Sequence, residues 1–172
     1  MALADAGPVV VALEPEAPRA LAANDSIAEL HQRGARFEPA FLAVSVGQPV
    51  RMPNQDTIFH NVFSYSRPNH FDLGLYPAGE SRTIRFAAPG PVRIYCSIHE
   101  DMNGLIYVAP SRLFARPDAR GDFRIEKVPA GRYRLHVWSE RLPELVLPIA
   151  FAAGEQLRRE LALGGAGQPP PP

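Results

Sequence analysis

Three side chains with donor atoms for a transition metal lie close together near residue 100. Cys96, His99 and Met102 are spaced at i, i+3 and i+6, directly after the short apolar run that begins at Val92. A single tight loop can therefore direct all three toward one point, and His60, far upstream, can complete a set of four. Two imidazoles, a thiolate and a weak axial thioether are the ligands of blue-copper electron-transfer centres.

Other chemistries for Cys96 explain less of the pattern. It is the only cysteine, so an internal disulfide is impossible. A Cys-His nucleophile needs an oxyanion hole and an orienting Asn or Asp, and it has no use for Met102. A structural zinc site prefers four Cys or His ligands, and Met is a poor zinc ligand. A core thiol accounts for Cys96 alone, whereas copper uses all four residues.

The elements that must position these ligands are short strands separated by turns. Val92, Ile94 and Cys96 share one parity of an alternating strand, so the sulfur is expected to point toward the core. Similar short segments with Gly-Pro turns between them predict an all-β sandwich. The predicted strands of this part of the chain are residues 8–13, 26–32, 41–46, 50–52, 58–63, 71–76, 81–86, 92–96 and 105–108, with a short helical turn as the alternative for residues 26–32.

Several stretches together resemble the cupredoxins. They are Phe37-Glu38-Pro39, Val46-Gly47, Pro53-Asn54-Gln55-Asp56, His60-Asn61-Val62-Phe63-Ser64, Pro89-Gly90, and the run from Tyr95 to Met102. The two-residue gaps on either side of His99 resemble the amicyanin-like subgroup. Phe71-Asp72-Leu73-Gly74-Leu75-Tyr76 and the later Trp138 resemble the periplasmic methylamine-utilisation type, in which a cupredoxin precedes a small β domain. Ile98 departs from the pattern, because many relatives have Pro there.

The resemblance implies a fold, a cofactor and a function. It implies a cupredoxin Greek-key β-sandwich over residues 8–109 that binds one copper ion and carries single electrons, and it implies no enzymatic turnover. The implied metal ligands are His60, Cys96, His99 and Met102. Asn61 and Ser97 are expected to tie the two ligand loops together without binding the metal themselves. His99 is expected to lie nearest the surface.

The rest of the chain is predicted to add a small β module and two disordered ends. Residues 110–163 contain a hairpin-like pattern from Asp118 to Leu135, which resembles the carboxypeptidase-regulatory, transthyretin-like β-sandwich. We expect residues 1–7 to be a disordered N-terminus after a removed signal peptide, since Ala2-Leu3-Ala4 has the small-x-small pattern of a cleavage site. The Gly- and Pro-rich residues 164–172 are predicted to be a disordered tail.

The composition of the chain limits the classes of partner that it could bind. The chain has 172 residues, with 18 basic and 18 acidic side chains, so nothing indicates a nucleic-acid partner, which needs a clustered basic excess. No apolar run approaches the length of a membrane span. We expect an exported, periplasmic monomer that meets redox protein partners. A copper chaperone or storage protein, and a docking subunit of a larger redox complex, remain alternatives. A second metal at His70 or His31 also remains open.

Overall fold

The computed structural model describes residues 3–17, 21 and 24–163, and their regular secondary structure consists of β-strands apart from one short 3-10 helix, Leu3–Ala6. The strands in chain order are β1 (Val9–Pro15), β2 (Ala28–Glu29), β3 (His31–Gln32), β4 (Phe37–Glu38), β5 (Phe41–Ser45), β6 (Pro49–Pro53), β7 (His60–Ser64), β8 (Phe71–Tyr76), β9 (Ser81–Arg85), β10 (Gly90–Tyr95), β11 (Asn103–Ala109), β12 (Phe114–Ala115), β13 (Gly131–Ser139) and β14 (Leu145–Phe151). Among the described residues, no helix is both long and apolar enough to span a bilayer.

The chain divides into two compact units. The central unit is Ala22–Arg112, and the terminal unit combines Met1–Leu21 with Leu113–Pro172. Within the central unit, one sheet has the strand order β5-β11-β10-β7-β8 and a second has the order β2-β6-β9. A two-stranded pair, β3-β4, completes it. The all-β sandwich predicted from the short strands is confirmed for this unit.

Residues from both sheets of the central unit share one hydrophobic core. Val62, Ile94 and Ile106 come from the larger sheet, and Val50 and Met52 come from the smaller one; all five are fully buried. Because successive side chains of a strand alternate between faces, the buried residues of β10 lie two apart. The same alternation carries Cys96, one residue beyond β10, into the core, where it is 6% exposed.

The terminal unit is a four-stranded sheet of order β12-β1-β13-β14. Its β1 pairs antiparallel with β13 over the whole strand, from Val9 opposite Ser139 to Pro15 opposite Tyr133. Residues 8–13 were expected to be the first strand of the cupredoxin sandwich, but β1 belongs to the terminal sheet instead; the domain bounds 8–109 stay a prediction. The run Val-Val-Val-Ala-Leu is buried on both faces, so its pattern contains no alternation that would indicate which sheet it joins.

The structure differs from two further expectations. Residues 1–7 were expected to be disordered, but Leu3–Ala6 form a 3-10 helix. Ala6 is buried, and its carbonyl accepts a 2.7 Å hydrogen bond from the Ser139 hydroxyl. The first arm of the predicted hairpin, which contains Phe123 and Ile125, is not a strand. The second arm lies in β13, and both edges of β13 are paired with other strands, β1 and β14. The predicted tail, residues 164–172, lies outside the described residues.

Candidate metal centre

His60 begins β7 and is fully buried. It is paired with Tyr76 of β8, and its neighbours two and four residues on, Val62 and Ser64, are buried on the same face. A wholly buried imidazole needs polar partners for its ring nitrogens, because burying an unpaired polar group costs free energy. His60 therefore either has hydrogen-bond partners at both ring nitrogens or offers one of them to a metal ion.

The loop that follows β10 presents the other candidate ligands. The Cys96 N–H donates to the Met102 carbonyl at 3.1 Å, and the Met102 N–H donates to the His99 carbonyl at 3.0 Å. These two backbone bonds close the loop between β10 and β11. As a result, the side chains of Cys96 and His99 are held on the end of the sandwich where β7 begins.

Three donor atoms converge at this end. The Cys96 Sγ lies 3.8 Å from His60 Nδ1 and 3.6 Å from His99 Nδ1. The two Nδ1 atoms are 3.1 Å apart. His60, Cys96 and His99 thus form a group that could hold a metal ion, with every donor atom within 4.8 Å of the others. The structure brings together three residues that the sequence separates into two motifs.

Sequence reasoning missed Asp56, which holds the other side of His60. Its Oδ2 is 2.8 Å from His60 Nε2, so the ring donates there and keeps the Nδ1 lone pair for the centre. Burial raises the pKa of Asp56, but hydrogen bonds from the Ala35 and Gly34 N–H groups and from His60 outweigh it, and the net pKa is lowered. The carboxylate is therefore charged at neutral pH. A carboxylate that orients a ligating His is a recurring feature of metal sites.

Asn61 connects the two ligand segments. Its side-chain Oδ1 accepts a 2.7 Å bond from the Ser97 N–H and a 3.0 Å bond from the Ser97 hydroxyl. Asn61 directly follows one candidate ligand, and Ser97 directly follows another. Because the buried amide ties these neighbours together, it limits how far His60 and Cys96 can move apart.

The remaining sequence-predicted residues lie in different settings. Met102 is 1% exposed and belongs to the same buried cluster as Cys96, and its role as an axial ligand stays a prediction. His70 is exposed and packs its ring 5.8 Å from that of Tyr65. His31 Nε2 lies 3.2 Å from a carboxylate oxygen of Glu29. Neither His70 nor His31 joins a metal-binding group of three among the described residues.

Exposed apolar side chains flank the candidate ligands in sequence. Ile58 and Phe59 precede His60, and Ile98 precedes His99; each is about half exposed. His99 itself is partly exposed, in contrast to His60. The acidic pair Glu100 and Asp101 lies on the same loop and is exposed. The candidate centre thus has a buried imidazole, His60, on one side and a partly exposed imidazole with apolar neighbours, His99, on the other.

Comparison with known proteins identifies cupredoxins as structural neighbours of about half the chain. No protein-family model matches, and no curated protein matches significantly. A purple cupredoxin from Nitrosopumilus maritimus has 26% identity, covering 48% of this chain and 99% of its own, with a TM-score of 0.44. A copper-containing nitrite reductase from Thermus scotoductus SA-01 has 28% identity over 55% of this chain but 25% of its own, with a TM-score of 0.47. A reduced Cu(I) form of an amicyanin variant has 20% identity over 57% of this chain and 97% of its own, with a TM-score of 0.46.

Proposed function

We propose that this protein binds one copper ion through His60, Cys96 and His99 and carries single electrons between redox proteins. The observation that carries the proposal is the convergence of two Nδ1 atoms and one Sγ within 4.8 Å, in a largely buried site. Two imidazoles and a thiolate fit copper better than a hard cation, which prefers oxygen ligands. When bound, copper would supply a one-electron Cu(II)/Cu(I) couple.

The protein's own contribution is to hold the donors in place. Asp56 fixes the His60 ring, and the Asn61–Ser97 contact fixes the separation of the two ligand segments. A rigid donor set resists rearrangement when the charge of the centre changes, so electron exchange stays fast. Met102 would add a weak thioether contact to the ion, because it is buried in the same cluster as Cys96.

The partly exposed His99 is proposed as the place where electrons enter or leave. It is the more accessible of the two imidazoles, and the exposed Ile98 beside it offers an apolar contact for a partner. Glu100 and Asp101 add negative charge near this contact, which favours a partner with a cationic rim. We propose no catalytic turnover, and we propose that the protein works as an exported monomer in the periplasm.

The terminal unit is proposed to be a small accessory β module of the transthyretin-like type that accompanies methylamine-utilisation cupredoxins. Support comes from the paired strands β13 and β14 and from the motif that leads into β13. Its sheet includes β1, so on this proposal the module is built from both ends of the chain. The proposed cupredoxin domain then corresponds to the central unit.

Voltammetry of the copper-loaded protein tests electron carriage against copper storage. We expect one reversible one-electron wave, with copper retained through repeated oxidation and reduction in the presence of a Cu(I) chelator. The reason is that a buried thiolate and two fixed imidazoles hold both oxidation states. Loss of copper to the chelator on each reduction would instead favour a chaperone or storage protein.

A further inference from the structure

Asn54, the residue directly after β6, is a buried polar residue to which the proposed function gives no role. It is 1% exposed, and each of its polar groups has a hydrogen-bond partner. Its N–H donates to the Glu80 carbonyl and its carbonyl accepts from the Gly79 N–H, both at 2.9 Å. Because these backbone bonds hold Asn54 to the turn between β8 and β9, its side-chain amide has a fixed starting point.

The side-chain amide of Asn54 bonds the loop between β6 and β7 and also the neighbouring strand β8. Its Oδ1 accepts from the Asp56 N–H at 3.0 Å. Its Nδ2 donates to the Ile58 carbonyl at 2.8 Å and to the Tyr76 carbonyl at 3.2 Å. Since the oxygen of an amide can only accept and its NH2 can only donate, these partners allow one orientation of the side chain. Asn54 therefore ties the loop to β8 in a single arrangement.

Two of these three contacts involve direct neighbours of His60. The carboxylate of Asp56 lies 2.8 Å from His60 Nε2, and the backbone of Asp56 is what Asn54 holds. Tyr76 is registered opposite His60 in the β7–β8 pair. A shift of the Asn54 amide would therefore move both the carboxylate that orients the imidazole and the strand that lies beside it.

We propose that Asn54 is a positioning residue of the copper centre, which fixes the Asp56 backbone so that the Asp56 carboxylate holds the His60 ring in its ligating orientation. The inference rests on the proposed function. Asn54 does not bind the ion, because its amide is fully used in hydrogen bonds to the chain. The N–H groups of Gly34 and Ala35 hold the Asp56 carboxylate itself, whereas Asn54 holds the backbone that carries it.

A positioning role differs from a purely structural one in what Asn54→Ala would change. If Asn54 only stabilises the fold, the variant unfolds more easily, but its folded molecules hold His60 and bind copper as the wild type does. If Asn54 positions the ring, the folded variant holds His60 less firmly, and the loss of copper affinity depends on the presence of the Asp56 carboxylate.

The metal-free protein provides the first test, by nuclear magnetic resonance. The His60 Nε2–H proton is buried and bonded to Asp56, so we expect it to exchange slowly with water in the wild type. Its exchange should be several-fold faster in Asn54→Ala. Asn54→Ser should give an intermediate rate, because a hydroxyl can still accept from the N–H two residues further on, although more weakly than an amide oxygen does.

Asn69→Ala is the matched control. Asn69 is also a buried amide of the central unit, and its Nδ2 donates to the Ala88 carbonyl at 2.8 Å. Its replacement removes a comparable hydrogen bond away from the loop between β6 and β7. The exchange rate of the His60 Nε2–H proton should therefore equal that of the wild type.

A double-mutant cycle on copper affinity shows whether the effect passes through Asp56. We expect Asn54→Ala to lower the affinity for Cu(II) several-fold in the wild-type background. The same substitution should have little effect when Asp56→Asn is already present, since changes at residues that share one network are not additive. Asn69→Ala should leave the affinity unchanged in both backgrounds.

The failure of this inference can be told apart from the failure of the proposed function. Unchanged proton exchange in Asn54→Ala, unchanged copper affinity, or an equal loss of affinity in both backgrounds would overturn the positioning role and leave the proposed function standing. If Asn54→Ala does not fold, Asn54→Ser is used for the same comparison. A loaded wild type without a thiolate-to-copper band would overturn the proposed function and the positioning role together.

Discussion

His60 uses both of its ring nitrogens. The Nδ1 faces His99 and Cys96, and the Nε2 donates to Asp56. This division sets the tautomer, because the nitrogen that donates to the carboxylate carries the proton and the other presents its lone pair. The His60 ring therefore has one orientation in which it can serve as a ligand.

Replacing Asp56 by Asn tests this orientation. The amide is neutral and can present either its oxygen or its NH2 to His60, so the ring is held less firmly. We expect the affinity for Cu(II) to drop by about 10-fold or more, in line with other partners of ligating histidines. Competition titration against a chelator measures the change.

Asp25→Asn is the matched control, because Asp25 is a largely exposed carboxylate that pairs with Arg85 instead of a candidate ligand. Its copper affinity should equal that of the wild type. Equal affinities for all three proteins would show that Asp56 does not support the centre.

At the residue scale, the sequence predicts the residues that offer donor atoms to the metal better than the residues that hold those donors in place. His60, Cys96 and His99 could be predicted because their types and spacing are specific to one chemistry. Asp56 could not, since a carboxylate four residues before a His is common, and its contact depends on the loop geometry between β6 and β7. That loop is fixed in part by backbone N–H groups of Gly34 and Ala35, which also bond Asp56.

At the scale of elements, the terminal unit has strands tied together by a charged cluster. His136 of β13 places Nε2 2.9 Å from Glu14 of β1 and Nδ1 2.9 Å from Glu144, one residue before β14. Arg134 also bonds Glu14, at 2.8 Å. The hydrogen bond from Glu144 raises the pKa of His136; burial opposes this shift, and Glu14 adds to it, so the net pKa lies above 6.5.

The cluster predicts a pH dependence of stability. A histidine whose pKa is higher in the folded than in the unfolded state stabilises the fold fully below pH 6.5, the unfolded value, and this contribution is lost as the pH rises through the folded pKa. We therefore expect the free energy of unfolding of the wild type to be higher than that of His136→Gln at low pH. The difference between the two free energies should become smaller as the pH rises. Denaturant unfolding across this range measures the gap.

The matched control is His70→Gln, which removes an exposed histidine from the central unit. Its free energy of unfolding should track that of the wild type at every pH. A gap for His136→Gln that widens with rising pH would contradict the assigned sign.

The strands themselves differ in how well their sequences specify them. The sequence predicts alternating segments such as β9 and β10 with nearly the observed bounds, because one parity of each strand is more buried than the other. The β1 segment was placed in the wrong sheet, since a run buried on both faces can fill a central position in any sheet. Its true partner, β13, lies more than a hundred residues away, and such long-range pairing is not encoded in local pattern.

At the scale of the whole molecule, the candidate ligands and the four-stranded sheet of β12, β1, β13 and β14 belong to different units. Every candidate ligand lies in the central unit, which has its own buried core. The terminal unit has a separate core around Val11, Leu13 and Leu135, and β1 supplies a central strand of its sheet. Metal binding and the integrity of the terminal sheet should therefore be separable.

Deletion tests this separation. A fragment of residues 22–112 should bind copper with the spectrum of the full chain, because it keeps the donors and their core. A chain that lacks residues 1–17 should keep the spectrum but lose β structure in the terminal unit, which far-ultraviolet circular dichroism and amide exchange would detect. Loss of copper binding in the isolated fragment would show that the terminal unit is needed to form the centre.

The central claim is that the Cys96 thiolate binds copper beside two imidazoles. The most direct measurement is the visible and electron paramagnetic spectrum of the protein loaded with one equivalent of Cu(II), compared with that of Cys96→Ser. We predict an intense visible band from thiolate-to-copper charge transfer that is absent from the variant. A pale wild-type spectrum, or the same spectrum in both proteins, would contradict the proposed centre.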